Sequence, residues 1–64
     1  KMSKLKERRE ALGLTQRQVA EKIGVKYQSY QRYENLVIIP NAQIAVKVAK
    51  ALKTTVEELY SATS

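Results

Sequence analysis

The chain has 64 residues, with twelve Lys/Arg against six Asp/Glu and a net charge of +6, which bounds it to one small domain over 1–64 with a core expected at about 5–60. A domain of this size buries only about 60% of its unfolded surface, and with no cysteine or histidine it has no disulfide, thiolate metal site or imidazole base to draw on. No apolar run approaches the roughly 20 residues of a membrane span, and no signal-peptide pattern occurs.

Ser3 as N-cap and Gly13 as a left-handed stop bracket the first predicted helix, which ends near Leu12. Leu5, Arg9 and Leu12 fall at i, i+4 and i+7, so Arg9 lies on the apolar stripe. An unpaired guanidinium there is prohibitively costly, and Arg9 therefore needs a partner. Thr15 opens the second helix with Gln18 three residues on, the spacing of a capping box. Val19, Ala20 and Ile23 form its buried stripe, and Gly24 supplies the positive φ that ends it.

The third helix is predicted over Tyr27 to Glu34. At roughly 100° per residue, Tyr27, Gln28, Gln31, Arg32 and Asn35 share one polar arc, while Tyr30, Tyr33 and Glu34 face the other way. The connector Leu36-Val37-Ile38-Ile39-Pro40 is unusually apolar for a loop. Asn41 caps a fourth helix to about Leu52, with Ala42, Ala45, Val46, Ala49 and Leu52 as its core stripe and Ile44, Val48 and Ala51 widening it. Thr55 and Glu58 are expected to form a second capping box for a short last helix that turns Val56, Leu59 and Tyr60 inward, after which residues 61–64 are expected to fray.

Two short helices joined at Ile23-Gly24-Val25, the second carrying one apolar face and one of long hydrogen-bonding side chains, make a helix-turn-helix. This arrangement props a helix against the major groove of DNA. Charge supports it: residues 1–34 hold nine Lys/Arg and four Glu, a balance of +5, whereas 35–64 hold three Lys and two Glu, a balance of +1. A basic half that coincides with the motif is the footprint of a polyanion binder.

Leu12-Gly13-Leu14-Thr15-Gln16, Val19-Ala20, Ile23-Gly24-Val25, Arg32-Tyr33-Glu34-Asn35, Pro40 and Ala49-Lys50-Ala51-Leu52, in this order and spacing, resemble the Cro/repressor-type helix-turn-helix family. The resemblance runs from Leu5 to Tyr60 and implies an all-α, five-helix, lambda-repressor-like domain with the motif in helices 2 and 3. It implies base reading by Tyr27, Gln28, Gln31 and Arg32. Phosphate contacts are implied for Gln16, Arg17, Lys26, Asn35 (through its backbone) and Asn41, with Gln16 also bracing the third helix. Arg9 and Glu34 match a family ion pair, which supplies the missing partner of Arg9.

Four positions depart from the family pattern. Lys26 stands in place of the usual Ser/Thr cap of the third helix, and Tyr30 in place of a smaller aliphatic. Leu36 replaces a common glycine with a residue that disfavours the left-handed turn. Val37 and Ile38 stand where Lys or Arg often lies near the DNA backbone. Local packing can absorb two of the four aliphatics from Leu36 to Ile39. The sharper expectation is a homodimer interface formed by Leu36, Val37, Ile38 and Ile39 together with Val56 in the turn before the last helix, because exposed apolar patches on small domains mark association.

The expected function is sequence-specific binding of double-stranded DNA by a transcriptional regulator, a repressor acting as a homodimer on a palindromic operator. The alternative is a protein-interaction module on the same fold, as in an antitoxin or an antirepressor-type partner. A DNA reader shows a steep salt response and a docking module does not. An enzyme is disfavoured: a glycine-rich phosphate loop is absent, and the paired carboxylates Glu57 and Glu58 merely follow a helix cap. No cofactor, metal, membrane or small-molecule ligand is implied. The resemblance implies a cytoplasmic, nucleoid-associated setting in a bacterial or phage-infected cell.

Overall fold

A computed structural model describes residues 3–60 as five helices: α1 (Lys4–Ala11), α2 (Gln16–Ile23), α3 (Tyr27–Glu34), α4 (Ala42–Ala51) and α5 (Val56–Tyr60). The predicted fraying at 61–64 lies outside the described residues. The N-caps are chemical. Ser3 accepts from the Lys6 N–H at 3.1 Å, and Asn41 accepts from the Ile44 N–H at 2.9 Å. Thr15 and Gln18 complete the reciprocal box at 3.0 and 2.8 Å. The second box is only half made: Thr55 accepts from the Glu58 N–H, but the Glu58 carboxylate instead accepts the Thr54 hydroxyl at 2.8 Å.

The first four helices end in the same way. Gly13, Gly24, Leu36 and Lys53 all take positive φ, between 56° and 74°. Each following N–H reaches back to the carbonyl five residues earlier: Leu14 to Arg9, Val25 to Ala20, Val37 to Arg32 and Thr54 to Ala49. These are Schellman turns, which satisfy the free carbonyls of a helix end. Leu36 thus makes the left-handed turn that its branched side chain disfavours. The two backbone bonds of the turn hold it there, against a penalty of roughly 1–2 kcal/mol for a non-glycine residue.

Leu5, Val19, Ala20, Ile23, Tyr30, Val48, Ala49, Leu52 and Leu59 form the core. α2 packs on α3 and α4, and α5 packs on α4 and α1. Complete burial of a large aliphatic contributes roughly 1.5–3 kcal/mol, so these few residues carry most of the fold. The α4 stripe is rotated from the predicted one. Ala45, Val48, Ala49 and Leu52 face inward, whereas Ala42 and Val46 face solvent. The predicted stripe overstated the apolar arc because this helix has more apolar residues than one small core can cover.

α1 buries only Leu5, and two arginines fasten it. Arg8 donates its Nε–H to the Leu52 carbonyl at 2.8 Å and an Nη2–H to the Lys53 carbonyl at 2.9 Å. A cation at the carbonyl end of α4 also complements the helix dipole. Sequence periodicity could not find this tie, because its ends lie 44 residues apart.

The connector is more exposed than local packing would leave it. Leu36, Val37, Ile38 and Ile39 are each 45–71% exposed, and Val46 is 44% exposed. Pro40 alone is buried there. None of the four aliphatics is absorbed by the monomer. No described helix is long and apolar enough to cross a membrane.

Candidate nucleic-acid interface

The floor of the site is a carboxylate. Glu34, on the inward face of α3, is 2% exposed and accepts from Arg9 Nε at 2.7 Å and Arg9 Nη2 at 3.0 Å. The remaining Arg9 nitrogen, Nη1, donates to the Leu14 carbonyl at 2.8 Å. One guanidinium therefore joins α1, the α1–α2 turn and the last turn of α3. Burial pushes the Glu34 carboxyl up, but the bonds from Arg9 and Gln16 outweigh it and hold the group below its ordinary value. The bond to Glu34 raises Arg9 in turn, and both groups are charged at neutral pH.

Tyr30 fills the space beside this pair and is fully buried. Its hydroxyl faces the Glu34 carboxylate but does not reach hydrogen-bond geometry with any described residue. Burial, and then the negative charge of Glu34, raise its phenol well above the ordinary value. Tyr30 is thus a packing residue, held neutral under the third helix.

Outward from Glu34 the polar side chains are linked. Gln16 Nε2 donates to Glu34 Oε1 at 2.9 Å, Gln31 Nε2 donates to Gln16 Oε1 at 3.4 Å, and the same Gln31 nitrogen donates to the Tyr27 hydroxyl at 3.0 Å. Gln16 braces α3 by these bonds. The Arg17 guanidinium carbon lies 4.2 Å from the Tyr27 ring centroid, a cation–π stack that anchors the start of α3 to α2.

The periphery of the site is open. Arg17, Lys26, Gln28, Arg32, Asn35 and Asn41 are exposed, while Gln16, Tyr27 and Gln31 are half-buried. Lys26 takes the N-cap position of α3 with extended backbone and makes no side-chain cap, so no side chain of the cap residue satisfies the first-turn N–H groups of this helix. The Asn35 backbone N–H is not free, because it donates to the Gln31 carbonyl at 2.9 Å. Asn41 uses Oδ1 as a helix cap and keeps its amide nitrogen. Of the five residues expected at a dimer interface, Leu36, Val37, Ile38 and Ile39 are exposed, whereas Val56 is half-buried against the core.

Comparison with known proteins agrees with this architecture. Residues 5–59 match the helix-turn-helix family. The chain is also similar to the cryptic phage CTXphi transcriptional repressor RstR of Vibrio cholerae serotype O1 (strain ATCC 39315 / El Tor Inaba N16961), at 40% identity over 60 residues. That match covers 88% of this chain and 54% of the relative, so the chain spans about half the relative's length.

Proposed function

This chain belongs to the helix-turn-helix family, and on that premise we propose that it binds double-stranded DNA in a sequence-specific manner, as the DNA-reading part of a transcriptional repressor. The observation that carries the reading is the exposed pair Gln28 and Arg32 on α3, with exposed Lys26 at its N-cap, on a helix whose other face is fixed by the buried Arg9–Glu34 pair. Gln28 and Arg32 have the groups for bidentate pairing with adenine and guanine in the major groove. In this reading Tyr27, stacked on Arg17 at the start of α3, meets a thymine methyl or a phosphate. Lys26, Arg17, Asn41, the Asn35 side chain and the spare amide hydrogen of Gln16 serve the phosphates, which position the helix without reading sequence. Support also comes from the similarity to a phage transcriptional repressor.

The repressor acts as a two-fold dimer in this reading, with Leu36, Val37, Ile38 and Ile39 at the contact, because the monomer leaves all four aliphatics exposed. Such a dimer sets two recognition helices about 34 Å apart and calls for an imperfect palindrome. Val56 contributes from beneath, since it is only partly covered by the core.

The test is selection of bound duplexes from a random library, followed by affinity against salt. Enrichment of a two-half-site sequence, with affinity falling steeply as salt rises, is the expected result. Failure to enrich any sequence, together with a flat salt response, would favour a protein-docking role for the apolar loop instead.

A further inference from the structure

The polar groups from Glu34 to Tyr27 form a chain with only one possible direction. A carboxylate accepts and never donates. Gln16 must therefore turn its nitrogen to Glu34 Oε1, which leaves Gln16 Oε1 facing α3 as an acceptor. Only a donor can meet that oxygen, and Gln31 Nε2 does so. An amide nitrogen carries two hydrogens. Gln31 places one on Gln16 and the other on the Tyr27 hydroxyl oxygen. Both N–H bonds of Gln31 are then committed, and bidentate pairing with adenine, which needs an amide hydrogen as well as the oxygen, is closed to it. The Tyr27 hydroxyl, already accepting from Gln31, keeps its own hydrogen for a group outside the protein. Arg17 stacked on the ring restricts the ring's swing.

We infer that Gln31 is a positioning residue and not a base reader: its amide carries the fixed polarity of the buried Glu34 carboxylate outward, so that the Tyr27 hydroxyl is presented to DNA as a hydrogen-bond donor. This rests on the DNA-binding reading above. The hydroxyl then seeks an acceptor, supplied either by a phosphate oxygen or by an acceptor atom of a base edge. A tyrosine hydroxyl free of Gln31 could equally turn to accept, so the amide removes an ambiguity in what the site recognises.

The test measures affinity for the duplex selected by the wild-type domain, in wild type, Tyr27→Phe, Gln31→Met and the double variant, with thermal melts to verify folding. Tyr27→Phe and Gln31→Met are each expected to weaken binding roughly 2- to 10-fold, and the double variant to lose less than the product of the two. Gln31→Lys, a side chain that donates without accepting, restores the dependence: Tyr27→Phe costs as much in the Lys background as in the wild type and costs less in the Met background. Comparing within one background cancels the added charge, and it provides a second route should Gln31→Met unfold. Repeating the selection with Tyr27→Phe separates the two acceptors, since a base edge relaxes one position and a phosphate weakens all sequences alike.

Independent losses from Tyr27→Phe and Gln31→Met would overturn the inference. So would a changed base preference for Gln31→Met at a position that Tyr27→Phe leaves untouched. A wild-type domain that binds no duplex would overturn the DNA-binding reading itself, a different result from wild-type binding with uncoupled variants.

Discussion

Arg9 grips both carboxylate oxygens of Glu34, at 2.7 and 3.0 Å, across 25 residues of sequence. The pair is nearly dry, with the Arg9 and Glu34 side chains 11% and 1% exposed, and it joins α1, which buries only Leu5, to α3. Arg9→Met or Glu34→Leu alone leaves a buried charge without its partner and is expected to cost about 3–5 kcal/mol. The double variant should be much milder. Circular dichroism melts in a double-mutant cycle check this, and near-additive losses would show that the two residues act separately. The same pair sets the acid limit. The folded carboxyl lies below its ordinary value of 4.5, so its contribution is complete above that pH and is lost as pH falls through it toward the folded value. The double variant should lack that limb.

The four Schellman turns make opposite predictions for glycine added and glycine removed. A Cβ at Gly13 or Gly24 would meet no atom within 4 Å, so the penalty for Gly24→Ala is the left-handed backbone alone, about 1 kcal/mol. Conversely, Lys53→Gly and Leu36→Gly should each stabilise the monomer by about 0.5–1 kcal/mol, after the entropy of the more flexible unfolded chain is subtracted. In a domain of this size 1 kcal/mol moves Tm by roughly 4–8 °C, which a melt resolves. A fall in Tm for Lys53→Gly would show that its φ of 56° carries no strain.

Base readers and phosphate binders should separate by the form of their losses. Arg32→Ala and Gln28→Ala are each expected to lower affinity for the selected duplex by about 1–3 kcal/mol and to relax one base position. Lys26→Ala should weaken all sequences alike and reduce the salt slope by about one unit. Unchanged sequence preference in the Gln28 and Arg32 variants would show that α3 docks by another face.

The apolar connector is tested by charge. Val37 and Ile39 are both 71% exposed, so Val37→Glu should leave the melt of the monomer unchanged while abolishing cooperative occupation of two half-sites. Ile38→Glu, at 45% exposure, should behave alike with a small loss of stability. Sedimentation with and without the selected duplex reads the outcome. Charged variants that still bind as cooperative dimers would move the interface elsewhere.

What local physics controls was legible along the chain. Helix bounds followed from Ser3, Thr15 and Asn41 as caps and from Gly13 and Gly24 as stops, because capping and positive φ act within a few residues of the chain. The division of α3 into a polar and an inward face followed from period alone, and the need of Arg9 for a partner followed from its place on an apolar stripe. The rest depended on how the five helices pack. Which part of the broad apolar arc of α4 faces the core depends on where α2 and α5 lie, so the stripe turned from Val46 to Val48. Arg8 found the backbone carbonyls at the end of α4, and Gln16 and Gln31 found each other, through contacts between residues 15 or more positions apart. Leu36 ran against its own propensity, because two backbone hydrogen bonds of a helix end favour one geometry whatever side chain occupies it. Local preference fixes where a helix starts. Competition for partners in a shared core fixes what each of its faces meets.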